Sequence, residues 1–526
     1  MEPKRMRYLI KGADVLPSWD AEALIGADIG IEGGRVAFVA PAGAGAGTGA
    51  GEGDRAGAGT GAGEGDRAGA GAGARASAGA GARADADAGA GAGAGARASA
   101  VIGAIAGADA VAGAGADAVA GMAPGSAPRG WAPDRVFDGA GRLAIPAFVN
   151  AHCHTAMALL RGYADDKALE DWLFNHIFPA EARLTEEDVY WGTTLGIAEM
   201  LRGGVACAND MYLMMDAAAG AFADAGFRAA VSFGPLRAGK RGAASVDAGR
   251  CREFFARWDG ASDGRIRVNM EIHSVFIYEP DALREAARLA CELGAPAHIH
   301  ILETTAERAN MLSQRGASSV RLAAGYGLLD RGAVAAHCVH VDDSDIEELA
   351  ARGVGVAHCP ASNLKLASGV APVPSMLGAG VRVCLGTDGA SSNNTLSVLK
   401  EMQLAAILHK GVGGQADAVT AAEAFRMATR AGALALGFPG CGAIAPGMKA
   451  DIALVNLGSP RLTPLYSHLS ALVYAARESD VESVFVDGEP LLEKGSPTTV
   501  DEEKAIFMAR RCAEKYGAMP PAVRHG

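Results

Sequence analysis

From about residue 144 to residue 435 the chain alternates short apolar runs with longer stretches in which apolar residues return every three or four positions. Short apolar runs suit strands buried on both faces, and the longer period suits helices with one packed face. Eight runs predict strands: Leu143 to His152, Gly204 to Asn209, Arg228 to Phe233, Ile266 to His273, Ala295 to Leu302, Ala333 to His337, Val354 to His358 and Val381 to Thr387. Helix-like segments separate most of them, such as Ala282-Leu-Arg-Glu-Ala-Ala-Arg-Leu-Ala-Cys-Glu-Leu293. Eight alternating units predict an α/β chain with a (β/α)8 TIM barrel over residues 144–435. Such barrels carry their chemistry at the C-terminal ends of the strands.

The flanks have a different pattern. Ile29-Gly-Ile-Glu-Gly-Gly-Arg-Val-Ala-Phe-Val39 reads as strand, Gly-Gly turn and strand, and Arg135-Val-Phe-Asp-Gly-Ala-Gly-Arg-Leu143 reads as a second hairpin. Beyond the barrel, Asp451-Ile-Ala-Leu-Val455 and Val481-Glu-Ser-Val-Phe-Val-Asp-Gly488 return to strand pattern. These segments predict one discontinuous β-sandwich domain, built from residues 1–143 and from residues 436–526 with their C-terminal tail. Residues 41–130 are mostly Ala and Gly, too poor in large apolar side chains to offset the entropy of ordering, and predict a disordered low-complexity insert at a loop tip. Within them a segment beginning at Thr48 repeats from Thr60, a tandem copy that points to sequence expansion.

Half of the 526 residues are hydrophobic and the net charge is −12, which fits a large catalytic domain with a smaller companion. No Lys/Arg stripe interleaves with aromatics, so neither nucleic acid nor an anionic membrane has an electrostatic footprint; a small-molecule substrate is expected. The composition leaves room for a homo-oligomer. The apolar stretch Tyr8-Leu-Ile10 is too short for a signal sequence, and no segment reads as a membrane span. Nine scattered cysteines without a Cys-x-x-Cys pair predict reduced thiols and a cytoplasmic enzyme.

Histidines and one aspartate stand at the predicted strand ends: His152 and His154, His300, His337, and Asp388 in Gly-Thr-Asp-Gly. Side chains alternate along a strand, so His152 and His154 share the face toward the barrel mouth and Cys153 faces the helices. Three imidazoles from His152, His154 and His300 with the Asp388 carboxylate suit one divalent ion that activates water. Zinc is the first choice, and iron and manganese accept the same donors. The lysines between His154 and His300, Lys167 and Lys240, stand at no predicted strand end, so no bridge to a second ion is expected. Glu303, just past His300, is placed to shuttle a proton between water and a substrate ring nitrogen. His337 is expected to support the attacking oxygen, and the second Asp388 oxygen to accept a proton from water. Phosphate loops and the H-x-E…P-C-x-x-C pattern of base-flipping deaminases are absent.

The segments Val149-Asn-Ala-His-Cys-His-Thr155, His300-Ile-Leu-Glu-Thr304, Ala335-Ala-His-Cys-Val-His340, Pro360-Ala-Ser-Asn-Leu-Lys-Leu366 and Leu385-Gly-Thr-Asp-Gly-Ala-Ser-Ser-Asn-Asn394 together resemble the amidohydrolase superfamily. Within it they resemble the 5-methylthioadenosine/S-adenosylhomocysteine deaminases and the related chlorohydrolases. The resemblance implies the same metal ligands, with Glu303, His337 and Asp388 as catalytic residues. It further implies that Trp172 and Glu181 contact ribose, that His273 is the substrate histidine, that Ser392 lies near the base, and that Arg237 meets a homocysteine carboxylate. The segment Glu271-Ile-His273-Ser-Val-Phe276 lacks the two prolines and the tyrosine usual around that histidine.

The sequence thus predicts a hydrolytic deaminase of 5′-modified adenosines. Its alternatives are another cyclic amidine hydrolase or chlorohydrolase acting on a triazine, pterin or free base, and a non-catalytic barrel. Excising residues 41–130 is expected to leave folding and turnover nearly unchanged, because loop closure depends only weakly on loop length. Loss of soluble, active protein on excision would give the insert a structural role.

Overall fold

A computed structural model describes residues 6–41, 127–237 and 245–518. The insert expected at 41–130 falls almost wholly outside the described residues. Its flanks meet: Phe38 and Trp131 pack edge to face with ring centroids 4.9 Å apart.

Three strands open the chain, β1 (Arg7–Val15), β2 (Leu24–Glu32) and β3 (Arg35–Pro41), the last two joined by the expected Gly33-Gly34 turn. Both turn glycines have positive φ, the conformation a tight hairpin requires. The second expected hairpin is different. β4 (Arg135–Asp138) and β5 (Arg142–Pro146) do not pair with each other; each runs parallel to β1, against its first and last residues respectively. The register of β1 shifts around Ala13, and Gly139 approaches there, donating its N–H to the Lys11 carbonyl. A bend in β1 therefore serves two successive partners where a turn alone would have made a ribbon.

The barrel follows as β6 (Phe148–His154), β7 (Val205–Met211), β8 (Arg228–Phe233), a short antiparallel pair β9 (Leu236–Arg237) and β10 (Ser245–Val246), then β11 (Ile266–Ile272), β12 (Ala297–Ile301), β13 (Val334–His337), β14 (Gly355–His358), β15 (Arg382–Leu385) and β16 (Asp388–Gly389). Seven of the eight expected strands are present and parallel as expected, but the first, Leu143 to His152, is split at Ala147: its start is β5 of the other sheet and only its later part is the barrel strand β6. β16, two residues past β15, pairs with β6 at the other edge, so the sheet curls into a TIM-barrel-like ring. Helices separate the strands. Pro280–Leu293, for example, buries Leu283, Ala286, Ala287 and Ala290 and stops at Gly294 in the left-handed conformation. Below the strands, Ala431, Ala433, Leu436 and Phe438 join Val149, Cys207 and Ala357 in a plug, where a side chain at Gly432 would strike Val149.

After the barrel come β17 (Ile452–Asn456), β18 (Val481–Val486), β19 (Glu489–Glu493) and β20 (Ser496–Pro497), followed by a helix, Glu502–Ala513. β17 pairs antiparallel with β5, so strands from both ends of the chain form one continuous sheet separate from the barrel. That sheet folds over its own core, in which Phe137 of β4 meets Phe485 of β18 at 4.9 Å between ring centroids.

The sheet is tied to the barrel floor by Arg228, fully buried at the start of β8. Its guanidinium donates to both Asp451 oxygens at 2.7 and 3.0 Å and pairs with Asp487 at 2.8 Å. Arg228→Ala would leave Asp451 buried beside no cation of its own. Unfolding in urea should then show a loss of about 3–5 kcal/mol. An unchanged midpoint would show that water replaces the arginine.

Candidate active site

At the C-terminal ends of β6 and β12 and the start of β16 the expected ligand atoms converge. His152 Nε2 and His154 Nε2 lie 3.4 and 3.1 Å from Asp388 Oδ1, and His300 Nε2 lies 3.4 Å from His154 Nε2. Gly386, just before β16, makes this approach possible, since a side chain there would press on His152 Cβ at 2.8 Å. Asp388 and His337 both hold positive φ, a costly backbone state that aims their side chains inward.

The outer hydrogen bonds set the chemistry of the inner atoms. His154 Nδ1 meets the Met211 carbonyl, and His300 Nδ1 meets the His273 carbonyl at 2.8 Å. A carbonyl only accepts, so each Nδ1 carries the proton and each Nε2 presents a lone pair. His152 Nδ1 lies 2.8 Å from His298 Nε2, whose Nδ1 lies 2.7 Å from the Ser232 hydroxyl, and His152 Nε2 is buried without a hydrogen-bond partner among the described residues. Ser362 and Ser392 donate to Asp388 Oδ2 at 2.6 and 2.8 Å, leaving Oδ1 to face the imidazoles.

Lone pairs and a carboxylate oxygen facing one another at these distances repel unless a cation stands among them, and the donor set fits a divalent ion of the zinc type. Burial pushes His152 down to about 3 and His300 well below its usual value. Burial also opposes charge on His154, but the Asp388 carboxylate outweighs it and lifts that imidazole to about 9. The pair attracts positive charge, whether as a proton or as a metal ion.

Glu303 lies beside this centre. Its Oε2 is 3.7 Å from His337 Nε2, its Oε1 accepts from Ser368 at 3.3 Å, and burial raises its carboxyl. His337 Nδ1 donates to Asn363 Oδ1 at 2.8 Å. His337 also clusters with His152 and His300, close enough to share an ion with them.

A cavity of about 370 Å³ opens from the centre, a size suited to a small organic ligand. His154, His300, Glu303, His337 and Asp388 line its floor, while Trp172, Glu181, Tyr212, Glu271 and His273 line its walls. Trp172 begins a π-helix, Trp172–Ile177, a form frequent at functional sites. Trp172 Nε1 is buried without a partner among the described residues, an unused donor beside the cavity, while the Tyr212 hydroxyl faces Glu181. Burial pushes Glu181 up to about 7, with Tyr212 pulling the other way.

Two expectations change. Ser392 does not line the cavity: its buried hydroxyl is spent on Asp388 and on the Gly389 carbonyl, which removes it from the neighbourhood of a base. The Asp388 oxygen expected to take a proton from water is the one already held by two serines. The side chain of Arg237 lies outside the described residues. Tyr212 and Glu271 were not singled out in the sequence. Alternation gives the signal for the second, since Asn269, Glu271 and His273 share one face of β11 and its continuation.

The model of the amidohydrolase family matches residues 143–491. The chain belongs to this family. It is 44% identical over 383 residues, 73% of this chain and 88% of the relative, to a 5-methylthioadenosine/S-adenosylhomocysteine deaminase of Acetivibrio thermocellus. It is 46% identical over 380 residues, 72% and 89% of the two chains, to the enzyme of that name from Dictyoglomus thermophilum. Among solved structures it is similar to an adenosine deaminase from Xanthomonas campestris with bound zinc, at TM-score 0.77 and 30% identity over 98% of this chain and 100% of that one. The atrazine chlorohydrolase of Arthrobacter aurescens shares the fold at TM-score 0.74 and 21% identity, covering 96% and 100% of the two chains. This amidohydrolase is therefore a metal-dependent hydrolytic enzyme, and no helix among its described residues is long and apolar enough to cross a membrane.

Elemental analysis of the purified protein should find one tightly held divalent ion per chain. Asp388→Ala and His300→Ala should lose that ion on dialysis while keeping the wild-type circular dichroism spectrum. Two tightly held ions per chain would contradict the ligand count.

Proposed function

We propose that this amidohydrolase releases ammonia from the adenine ring of 5′-modified adenosines, such as 5′-methylthioadenosine, S-adenosylhomocysteine, or adenosine itself. The observation that carries the reading is the placement of Glu303 and His337 beside the His/Asp centre at the floor of a cavity whose walls offer an indole with an unused N–H and a carboxylate.

His152, His154, His300 and Asp388 would hold one ion, zinc in our reading, and the ion supplies the Lewis acidity that makes water a nucleophile at neutral pH. The oxygen of water adds to the ring carbon bearing the amino group. Glu303 accepts a proton from the water and delivers it to the adjacent ring nitrogen; burial favours the protonated acid it must become between these transfers. His337, oriented through Asn363, faces the same oxygen and stabilises charge on it. As the ring carbon returns to planarity the added hydroxyl becomes a carbonyl and gives its proton to the amino nitrogen, the bond to that nitrogen breaks, and ammonia leaves.

On the sugar side, Trp172 offers an apolar face and Glu181 accepts from ribose hydroxyls, with His273 adding a polar contact. Losing the ribose leaves those groups unpaired, a defect that sites built for hydrogen bonding punish strongly. The nine unpaired cysteines, eight of them buried, suit a reducing compartment, for which we propose the cytoplasm.

Ammonia release over a panel of nucleosides, free bases and triazines tests the reading. Adenosine and 5′-methylthioadenosine should be turned over at least as well as S-adenosylhomocysteine, and free adenine about 10²-fold or more less well. Glu303→Gln should lower kcat by about 10²–10⁴ with metal content unchanged. A higher kcat/KM for free bases, pterins or triazines would move the enzyme to a different substrate class.

A further inference from the structure

Glu271 lies on β11 in register with His298 of β12. It shares the inward face with Asn269, whose side chain donates to Asn209 inside the barrel at 2.9 Å, and with His273 one layer above. Its Oε2 is 3.3 Å from where a Cβ on Gly234 would stand, so the missing side chain after β8 gives the carboxylate its room. Glu271 has no hydrogen-bond or ion-pair partner among the described residues, and it is near enough to Glu181 for the two carboxylates to repel. Among the described residues no lysine or arginine lines the cavity, while Glu170, Glu181 and Glu271 stand in its walls.

We propose that Glu271 sets the charge preference of the sugar end of the site: the enzyme favours adenosines whose 5′ substituent is neutral or positively charged and discriminates against those that bring an anion there. The inference rests on the nucleoside reading above. An anionic substituent entering this wall meets the Glu181 and Glu271 carboxyls with no lysine or arginine among the described lining residues to pair with it, and it opposes the ionised form of both, which lowers its affinity. An ammonium instead supplies the partner that Glu271 lacks. Burial pushes the Glu271 carboxyl up to about 8, with His154 drawing it down and Asp210 and Glu181 adding to the rise, so a bound ammonium gains by drawing out the ionised form and a bound anion works against it.

The test uses the full-length, metal-loaded enzyme and three probes of similar size: 5′-amino-5′-deoxyadenosine, 5′-methylthioadenosine and adenosine-5′-carboxylate. In the wild type, kcat/KM should be lowest for the carboxylate. Glu271→Gln, or Glu271→Ala should the first not accumulate as folded protein, should raise the ratio of carboxylate to amine turnover by about tenfold. A ratio that stays within about twofold in the variant overturns the role of Glu271 while leaving the deaminase in place. Inhibition of methylthioadenosine turnover in the wild type gives a reading free of any variant: equal inhibition constants for the amine and the carboxylate also overturn it. Failure of every nucleoside to react, with free bases or triazines turned over, sinks the nucleoside reading itself.

Discussion

The pairing of Asp388 and Gly389 with Cys153 and His154 is the contact on which the rest of the molecule turns. It closes the ring of parallel strands and, by the same two residue pairs, sets a carboxylate beside two imidazoles. Asn150 and Thr387 reinforce it from below, the amide nitrogen donating to the threonine hydroxyl at 2.8 Å and the threonine N–H donating back at 3.0 Å. Barrel closure and assembly of the metal centre are therefore one event. A distortion that opened the seam would separate Asp388 from the histidines before it disturbed any other strand.

The electrostatics follow from that geometry. Carbonyls from β7 and from the end of β11 fix the protons of His154 and His300 on their outer nitrogens, and two serine hydroxyls fix the outer oxygen of Asp388. The inner atoms are left facing one another, and a proton or a metal ion among them relieves their repulsion. The cavity walls repeat the theme at lower charge. Glu181, Glu271 and Glu303 all have carboxyls raised by burial, so the pocket is rich in groups that gain from a ligand with protons to give.

Much of this was legible in the sequence because parallel strands buried on both faces write themselves as apolar runs, and barrel chemistry collects where those runs end. His152, His154, His300 and Asp388 could be placed by that rule alone. The double service of β1 could not, since pairing of β4 and β5 with a strand more than a hundred residues away leaves no local trace and Gly139-Ala-Gly141 looks like a turn. For Ser392 the resemblance gave a position in the motif but not the direction of the hydroxyl, which the structure turns toward Asp388 and the Gly389 carbonyl. Glu271 was hidden by its company, as an isolated carboxylate in an apolar run reads as a strand edge until the alternation from His273 is followed inward.

Arg228 has one further consequence, which concerns synthesis. The barrel has all its strands once residue 389 is made, but β5 keeps a bare edge until β17 appears at residue 452. At the usual pace of translation that edge waits roughly 15–60 s after it leaves the ribosome. Until then the Arg228 guanidinium at the barrel floor has neither Asp451 nor Asp487 and stays hydrated. The last stretch of the nascent chain thus brings both the missing strand and the missing counter-charges, so docking of the sheet becomes the step that commits the whole chain.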